Sequence, residues 1–121
     1  AADDPAVQAA RRAALEGVAA LSQATQALLA QLGSAPDRAL AVAVPYLLLA
    51  GTVLGAWQLA KSASIAAERL AAGAGGDADF YRAKLATARF YAVQILPRAD
   101  AFARVVQEGG AAVAEVDAAL I

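Results

Sequence analysis

The chain has 121 residues, of which 60% are hydrophobic, and it carries 10 basic and 11 acidic side chains. This length is enough for one domain with a buried core, and the balanced charge leaves no basic excess for binding nucleic acid. The chain has no Cys and no His, which excludes disulfides, thiolate or imidazole metal ligands and a histidine general base. It also has no Met, so we expect either a piece cut from a longer polypeptide or a processed N-terminus.

Alanine, the best helix former, makes up nearly a third of the chain. The few β-branched residues never alternate with polar residues over a strand length, so we expect no sheet. No signal segment opens the chain, and we expect a cytoplasmic protein.

The first predicted helix begins at Pro5, where Asp4 can cap the free amide groups. Gly33 is its predicted C-terminal stop. One apolar stripe at 4–3 spacing should face the core over about 28 residues, and it consists of Ala14, Val18, Leu21, Thr25, Leu28 and Leu32. The polar residues off this stripe should face water: Arg11, Arg12, Glu16, Gln23 and Gln26.

The second predicted helix opens with a capping-box pattern at residues 34–37 and ends in a glycine-rich loop at residues 72–76. Pro45 lacks a backbone donor, so it should kink this helix or end a short first section. Residues 39–60 carry no charge, and a run of this length can cross a bilayer. We favour a core helix buried on most sides, because the flanking amphipathic helices need an apolar partner. Gly51 and Gly55 would then let a neighbouring helix approach closely.

The third predicted helix begins at Asp77 or Asp79, either of which can cap it. Pro97 predicts a kink, and Gly109 and Gly110 predict the end of the helix. Residues 111–120 either form a short fourth helix or fray. The apolar stripe of this segment consists of Tyr81, Leu85, Ala88, Ala92, Ile95, Ala99, Phe102 and Val106.

These segments predict an all-α, up-down antiparallel bundle of three long helices plus a possible short fourth, with residues 1–121 as a single domain. We expect no catalytic, cofactor-binding or metal site within it. A carboxylate base has no orienting neighbours near Glu16, Glu68, Glu108 or Glu115, and residues 73–76 lack the flanking pattern of a phosphate loop. The aromatic residues suit core or interface packing; if Trp57 is a core residue, replacing it with Ala should cost about 3–5 kcal/mol.

Two segments resemble a known family. The first runs from Val44 to Trp57, and the second runs from Phe80 to Pro97. Together they resemble the C-terminal extension domain of bacterial acyl-CoA dehydrogenases, in the branch that includes methylthiopropanoyl-CoA and long-chain acyl-CoA enzymes. The motif residues that the resemblance places in a core or an interface are Pro45, Tyr46, Gly51, Gly55, Trp57, Phe80, Tyr81, Lys84, Arg89, Phe90 and Tyr91.

The resemblance implies that FAD and the catalytic glutamate belong to a preceding dehydrogenase core, so neither is assigned to a residue of this chain. It implies a non-catalytic role in packing, assembly or shielding, with the core and its dimer partner as partners. A homo-oligomer through apolar helix faces is also open.

Two other functions stay open at this point. One is a free-standing amphipathic protein that coats a lipid or storage-granule surface, which the alanine-rich, Cys-free composition suggests. The other is a single-pass membrane segment at residues 39–60.

Overall fold

The computed structural model describes residues 4–121, apart from the side chain of residue 118; residues 1–3 of the predicted domain lie outside the described residues. Five α-helices follow one another: α1 (Pro5–Ser34), α2 (Pro36–Ala41), α3 (Ala43–Ala71), α4 (Ala78–Phe90) and α5 (Arg98–Ala114). A π-helical turn (Tyr91–Ile95) joins α4 to α5, and 3₁₀ turns lie at Gly75–Asp77 and Ala118–Leu120. No strand occurs within residues 4–121, which confirms the all-α prediction.

The long helices run up and down as predicted. Gly17 of α1 lies against Val53 of α3, while Thr25 further along α1 reaches Tyr46 earlier on α3, so these two helices are antiparallel. The segment from α4 to α5 returns along α3, with α5 packed against both α1 and α3. The short helix that closes the bundle is α2, which packs against α5 and α1.

The start of α1 is capped as predicted, but its end is not where the sequence placed it. The Asp4 carboxylate accepts hydrogen bonds from the amide groups of Ala6 and Val7, at 2.8 and 3.2 Å. The helix continues through Gly33 and ends at Ser34. A residue before proline is disfavoured in the α conformation, and Ala35, which precedes Pro36, has φ −147° and ψ 76°, outside the helical region.

The predicted capping box at residues 34–37 is wrong. Ser34 is still helical, and its hydroxyl donates to the carbonyl of Ala30 at 3.1 Å. Ala35 takes the capping position of α2 without any side-chain hydrogen bond. Pro36 nevertheless starts α2, because the first turn of a helix needs no donor from that residue.

Pro45 sets the break between α2 and α3. It lies in the first turn of α3, where its missing N–H costs nothing, and the preceding helix has already ended at Ala41. Had the helix been continuous, Pro45 would have had to donate to the carbonyl of Ala41. The predicted short first section is therefore confirmed. The loop after α3 contains Gly73 and Gly75 at positive φ, 82° and 58°, which glycine adopts without strain.

The third segment starts and breaks near the predicted positions. Asp77 precedes α4 but makes no capping hydrogen bond, and the Asp79 carboxylate accepts from the Arg82 guanidinium at 2.9 Å instead. Before Pro97, the helix widens into the π turn, in which the amide of Leu96 donates to the carbonyl of Tyr91 at 2.8 Å. The predicted interruption at Pro97 is confirmed.

The prediction that Gly109 and Gly110 end the helix is wrong, and residues 111–120 do not form a separate fourth helix. Helix α5 passes through both glycines to Ala114. Gly110 is buried against α2, where a Cβ atom would lie 2.5 Å from the carbonyl oxygen of Arg38. This glycine therefore permits the close crossing of α2 and α5.

The core lies where α1, α3 and α5 meet, around the fully buried Leu49 and Val106. A second cluster, with Val7 and Ala88, joins α1, α3 and α4. All eight stripe residues predicted for the third segment are buried or half-buried. The α1 stripe is partly wrong, because Val18 and Leu32 are 43% and 46% exposed. Small residues face the core in their place, and they include Ala10, Gly17 and Ala24.

Candidate interaction site

The outward side of α3 is a continuous apolar surface. Its residues recur at helical spacing and form what we call the outer face: Val44, Leu47, Leu48, Gly51 and Leu54. The exposed fractions of the four larger side chains lie between 47% and 68%. Only 22% of the most apolar window of α3 is buried, so the prediction of a helix buried on most sides is wrong. Exposed apolar patches that are contiguous generally mark interaction sites.

Gly51 and Gly55 have different environments, although both were predicted to let a neighbouring helix approach closely. A Cβ atom at Gly55 would lie 2.5 Å from the Tyr91 hydroxyl and 3.0 Å from its ring, so Gly55 does permit close packing. A Cβ atom at Gly51 would meet nothing within 4 Å, and the prediction for Gly51 is wrong within this chain. A glycine in the middle of an exposed helix lowers stability, and here it opens the helix backbone at the centre of the outer face.

Replacing Gly51 with Ala should raise the free energy of unfolding by about 0.5–1 kcal/mol, because alanine is the better helix former and the space is open. The same change at Gly55 should lower it by about 1–2 kcal/mol, since overpacking the Tyr91 side chain outweighs the helix gain. Urea denaturation followed by circular dichroism measures both. Equal effects at the two glycines would contradict the assignment of their environments.

Beside the outer face, a groove of about 290 Å³ lies between α1 and α3. Trp57, 45% exposed, forms one wall, and Leu15 and Val18 of α1 form the other. Arg11 and Lys61 stand at its rim, and the Lys61 ammonium lies 4.6 Å from the centroid of the Trp57 ring. We call this the Trp57 groove. Trp57 is nearly half exposed and is therefore not a core residue. The loss of stability expected for replacing a core Trp57 with Ala does not apply.

The other motif residues divide between packing and surface. The Tyr46 hydroxyl lies 2.8 Å from that of Thr25, and the Tyr91 hydroxyl donates to the carbonyl of Thr52 at 2.7 Å. Burial raises the pKa of the Tyr91 phenol above its ordinary value of 10.0, so this donor keeps its proton at neutral pH. These two tyrosines tie α3 to its neighbours.

The surface members of the motif lie on α4. Phe80 is 58% exposed; its ring packs edge-on against Tyr81, with centroids 5.4 Å apart, and the Lys84 ammonium lies 5.3 Å from it. Phe90 is 59% exposed, and Arg89 lines a separate cavity near the start of α1. The motif residues therefore do not converge on one site.

The described residues offer no catalytic arrangement. The four glutamates are exposed, and two of them pair with arginines, as Arg104 with Glu108 at 3.2 Å and Arg38 with Glu115 at 3.7 Å. Within residues 4–121 no three acidic side chains gather in a way that could hold a metal ion.

The described residues do not form a binding site for FAD. The larger cavity, about 620 Å³, is lined mainly by alanines, with one arginine and the Asp4 carboxylate that already caps α1. A dinucleotide needs several placed polar groups along its phosphates and ring edge, and this lining does not supply them.

Helix α3 is, by length and composition, apolar enough to cross a membrane, and no other described helix is. Its other sides pack against α1, α4 and α5.

The Trp57 groove was not predicted from the sequence. Arg11 was expected to face water and Val18 to face the core, and no role was expected for Leu15. The signal was a large apolar residue, Leu15, lying off the predicted stripe next to Val18 at a helical spacing of three.

The chain is similar to known dehydrogenase sequences. The profile of a family described as acetyl-CoA dehydrogenase C-terminal like matches residues 1–117. The 3-methylmercaptopropionyl-CoA dehydrogenase of Ruegeria pomeroyi is 44% identical over 86 residues, which cover 71% of this chain and 14% of that enzyme. The chain thus spans about a seventh of the length of this relative. No solved structure shows significant similarity to it.

Proposed function

Because the chain belongs to the acetyl-CoA dehydrogenase C-terminal-like family, we propose that it is a non-catalytic helical domain that packs against the catalytic core of an FAD-dependent acyl-CoA dehydrogenase. The role is assembly or shielding of that core and of its dimer partner. The parent enzyme is a cytoplasmic oxidoreductase that holds FAD outside this chain and acts on an acyl-CoA.

The outer face is the observation that carries this proposal. The outer face exposes four large aliphatic side chains and no charge, and contact between such apolar surface and water is unfavourable in free energy. Packing of another protein surface against the outer face would remove this contact with water and stabilise the assembly. Gly51, open at its centre, would let a partner element approach the α3 backbone closely.

Replacing Leu47 with Asp in the full-length parent enzyme tests the proposal. We expect weaker assembly, a lower thermal midpoint and faster loss of FAD, because docking would bury an unpaired carboxylate. In the 121-residue chain, the same change should shift unfolding by less than about 0.5 kcal/mol, since Leu47 is a surface residue.

Val93→Asp is the matched control, because Val93 is 61% exposed and lies beside the start of α1, which packs against the second half of α3 and not against the outer face. Light scattering and bound-flavin absorbance measure mass and FAD content. If the Leu47→Asp enzyme matches both wild type and control, the domain does not dock through the outer face.

A lipid surface is the alternative partner for the outer face, because α3 is long and apolar enough to cross a membrane. Lys61, Glu68 and Arg69 lie in the second half of that helix and oppose its burial in a bilayer. Flotation with phospholipid vesicles separates the two: binding by wild type that Leu47→Asp abolishes would favour lipid.

A further inference from the structure

We infer that the Trp57 groove is a socket for an apolar side chain and a neighbouring carboxylate, both carried on one segment of the dehydrogenase core. This inference deepens the proposed function and rests on it, because the core is the partner assigned there.

The walls of the groove determine the apolar part. Leu15, Val18 and Trp57 surround the opening, and alanines of both helices form its base. The side chains of Leu15 and Trp57 remain 67% and 45% exposed, so packing within this chain does not bury either of them. Half-exposed tryptophans in such pockets are frequent centres of protein interfaces.

The positive charges at the rim of the groove are the reason for expecting a carboxylate on the partner segment. Arg11 and Lys61 take part in none of the ion pairs found among the described residues, and no acidic side chain lines the groove. The Lys61 ammonium lies over the face of the Trp57 ring, which holds that charge beside the opening. A carboxylate entering here meets two cations, whereas a basic segment would be repelled.

The groove is continuous with the outer face. Trp57 follows Leu54 by three residues, which is one helical turn, so a partner that covers Leu54 reaches the groove. A second copy that paired through the same outer face is a poorer occupant, since residues 39–60 would offer the groove no acidic side chain. The dehydrogenase core is therefore the partner that the charge pattern favours.

Carbodiimide cross-linking of the full-length enzyme tests the socket, because this reagent joins an amine only to a carboxylate in direct contact. We expect a cross-link from Lys61 to an Asp or Glu outside residues 1–121, identified by peptide mass spectrometry. Lys84, the other lysine of the chain, lies on α4 over Phe80 and outside the groove, so a product from Lys84 would not count as evidence for the socket.

Two variants sharpen the result. Lys61→Gln should remove the cross-link, and about 1 M salt should reduce it, since the screening length then falls to about 3 Å. Arg11→Gln with Lys61→Gln should make assembly of the enzyme weaker and less sensitive to salt. Arg12→Gln with Arg98→Gln, which removes two exposed positive charges outside the groove, should not.

The outcomes separate the socket from the proposed function. If Leu47→Asp weakens assembly but Lys61 forms no cross-link to the core, the domain docks and the socket is wrong. If Lys61 links to residues 1–121 of another subunit, the occupant is a second copy and the inference is overturned. If neither readout responds, the proposed function and the socket both fail.

Discussion

Replacing Leu49 with Ala should lower the free energy of unfolding by about 2–5 kcal/mol, the range for deleting a buried leucine side chain. Leu49 has no exposed surface and packs in the main core cluster with Val53, Leu96 and Val106. A domain of this size has a total stability of about 5–15 kcal/mol, so the variant should approach the limit of folding. Urea denaturation followed by circular dichroism gives the value.

Leu47→Ala is the matched control, because it deletes the same side chain two residues away on the same helix. Leu47 is 68% exposed, and its loss should change the free energy of unfolding by less than about 0.5 kcal/mol. The pair therefore measures which side of α3 faces the core. Comparable losses from the two leucines would show that α3 is rotated relative to this structure.

Gly110→Ala should destabilise the chain by about 1–3 kcal/mol, the cost of overpacking a tight contact. The added methyl group would lie 2.5 Å from the carbonyl oxygen of Arg38 and 3.1 Å from its carbonyl carbon. These are backbone atoms of α2, which cannot rotate away as a side chain could. The helix gain of about 1 kcal/mol that alanine brings elsewhere only partly offsets this contact.

Gly33→Ala provides the comparison, since Gly33 lies near the end of α1 with nothing within 4 Å of an added Cβ atom. We expect no loss of stability there, measured by the same urea denaturation. If Gly110→Ala is as stable as Gly33→Ala, then α2 does not pack closely on α5.

Three features that depend on neighbouring atoms of the chain were predicted correctly, whereas the capping box at residues 34–37 was not. Asp4 caps α1, a short helix ends before Pro45, which lies in the first turn of α3, and Pro97 interrupts the third segment. In each case, the cause is a backbone donor that is satisfied or missing within a few residues. The all-α bundle follows from the same local preferences, summed over an alanine-rich chain.

The helix ends at glycines were predicted less well. The sequence assigned stops to Gly33 and to Gly109 and Gly110, but both helices continue through them. Glycine ends a helix when it adopts positive φ, and it is also chosen where another backbone comes close. Only the position of α2 against α5 decides between these two uses at Gly110.

The fold class, the family resemblance and the absence of cysteine and histidine chemistry follow from the amino-acid sequence alone. The packing of the helices was needed to show which side of α3 faces outward, and that Trp57 borders a groove whose Arg11 and Lys61 form no ion pair among residues 4–121. Residues 39–60 carry no charge on any side of the helix, so their pattern does not show which side faces the core. That side is set by the small residues of α1, Ala10, Ala14 and Gly17, which let it pack closely against α3 on one side.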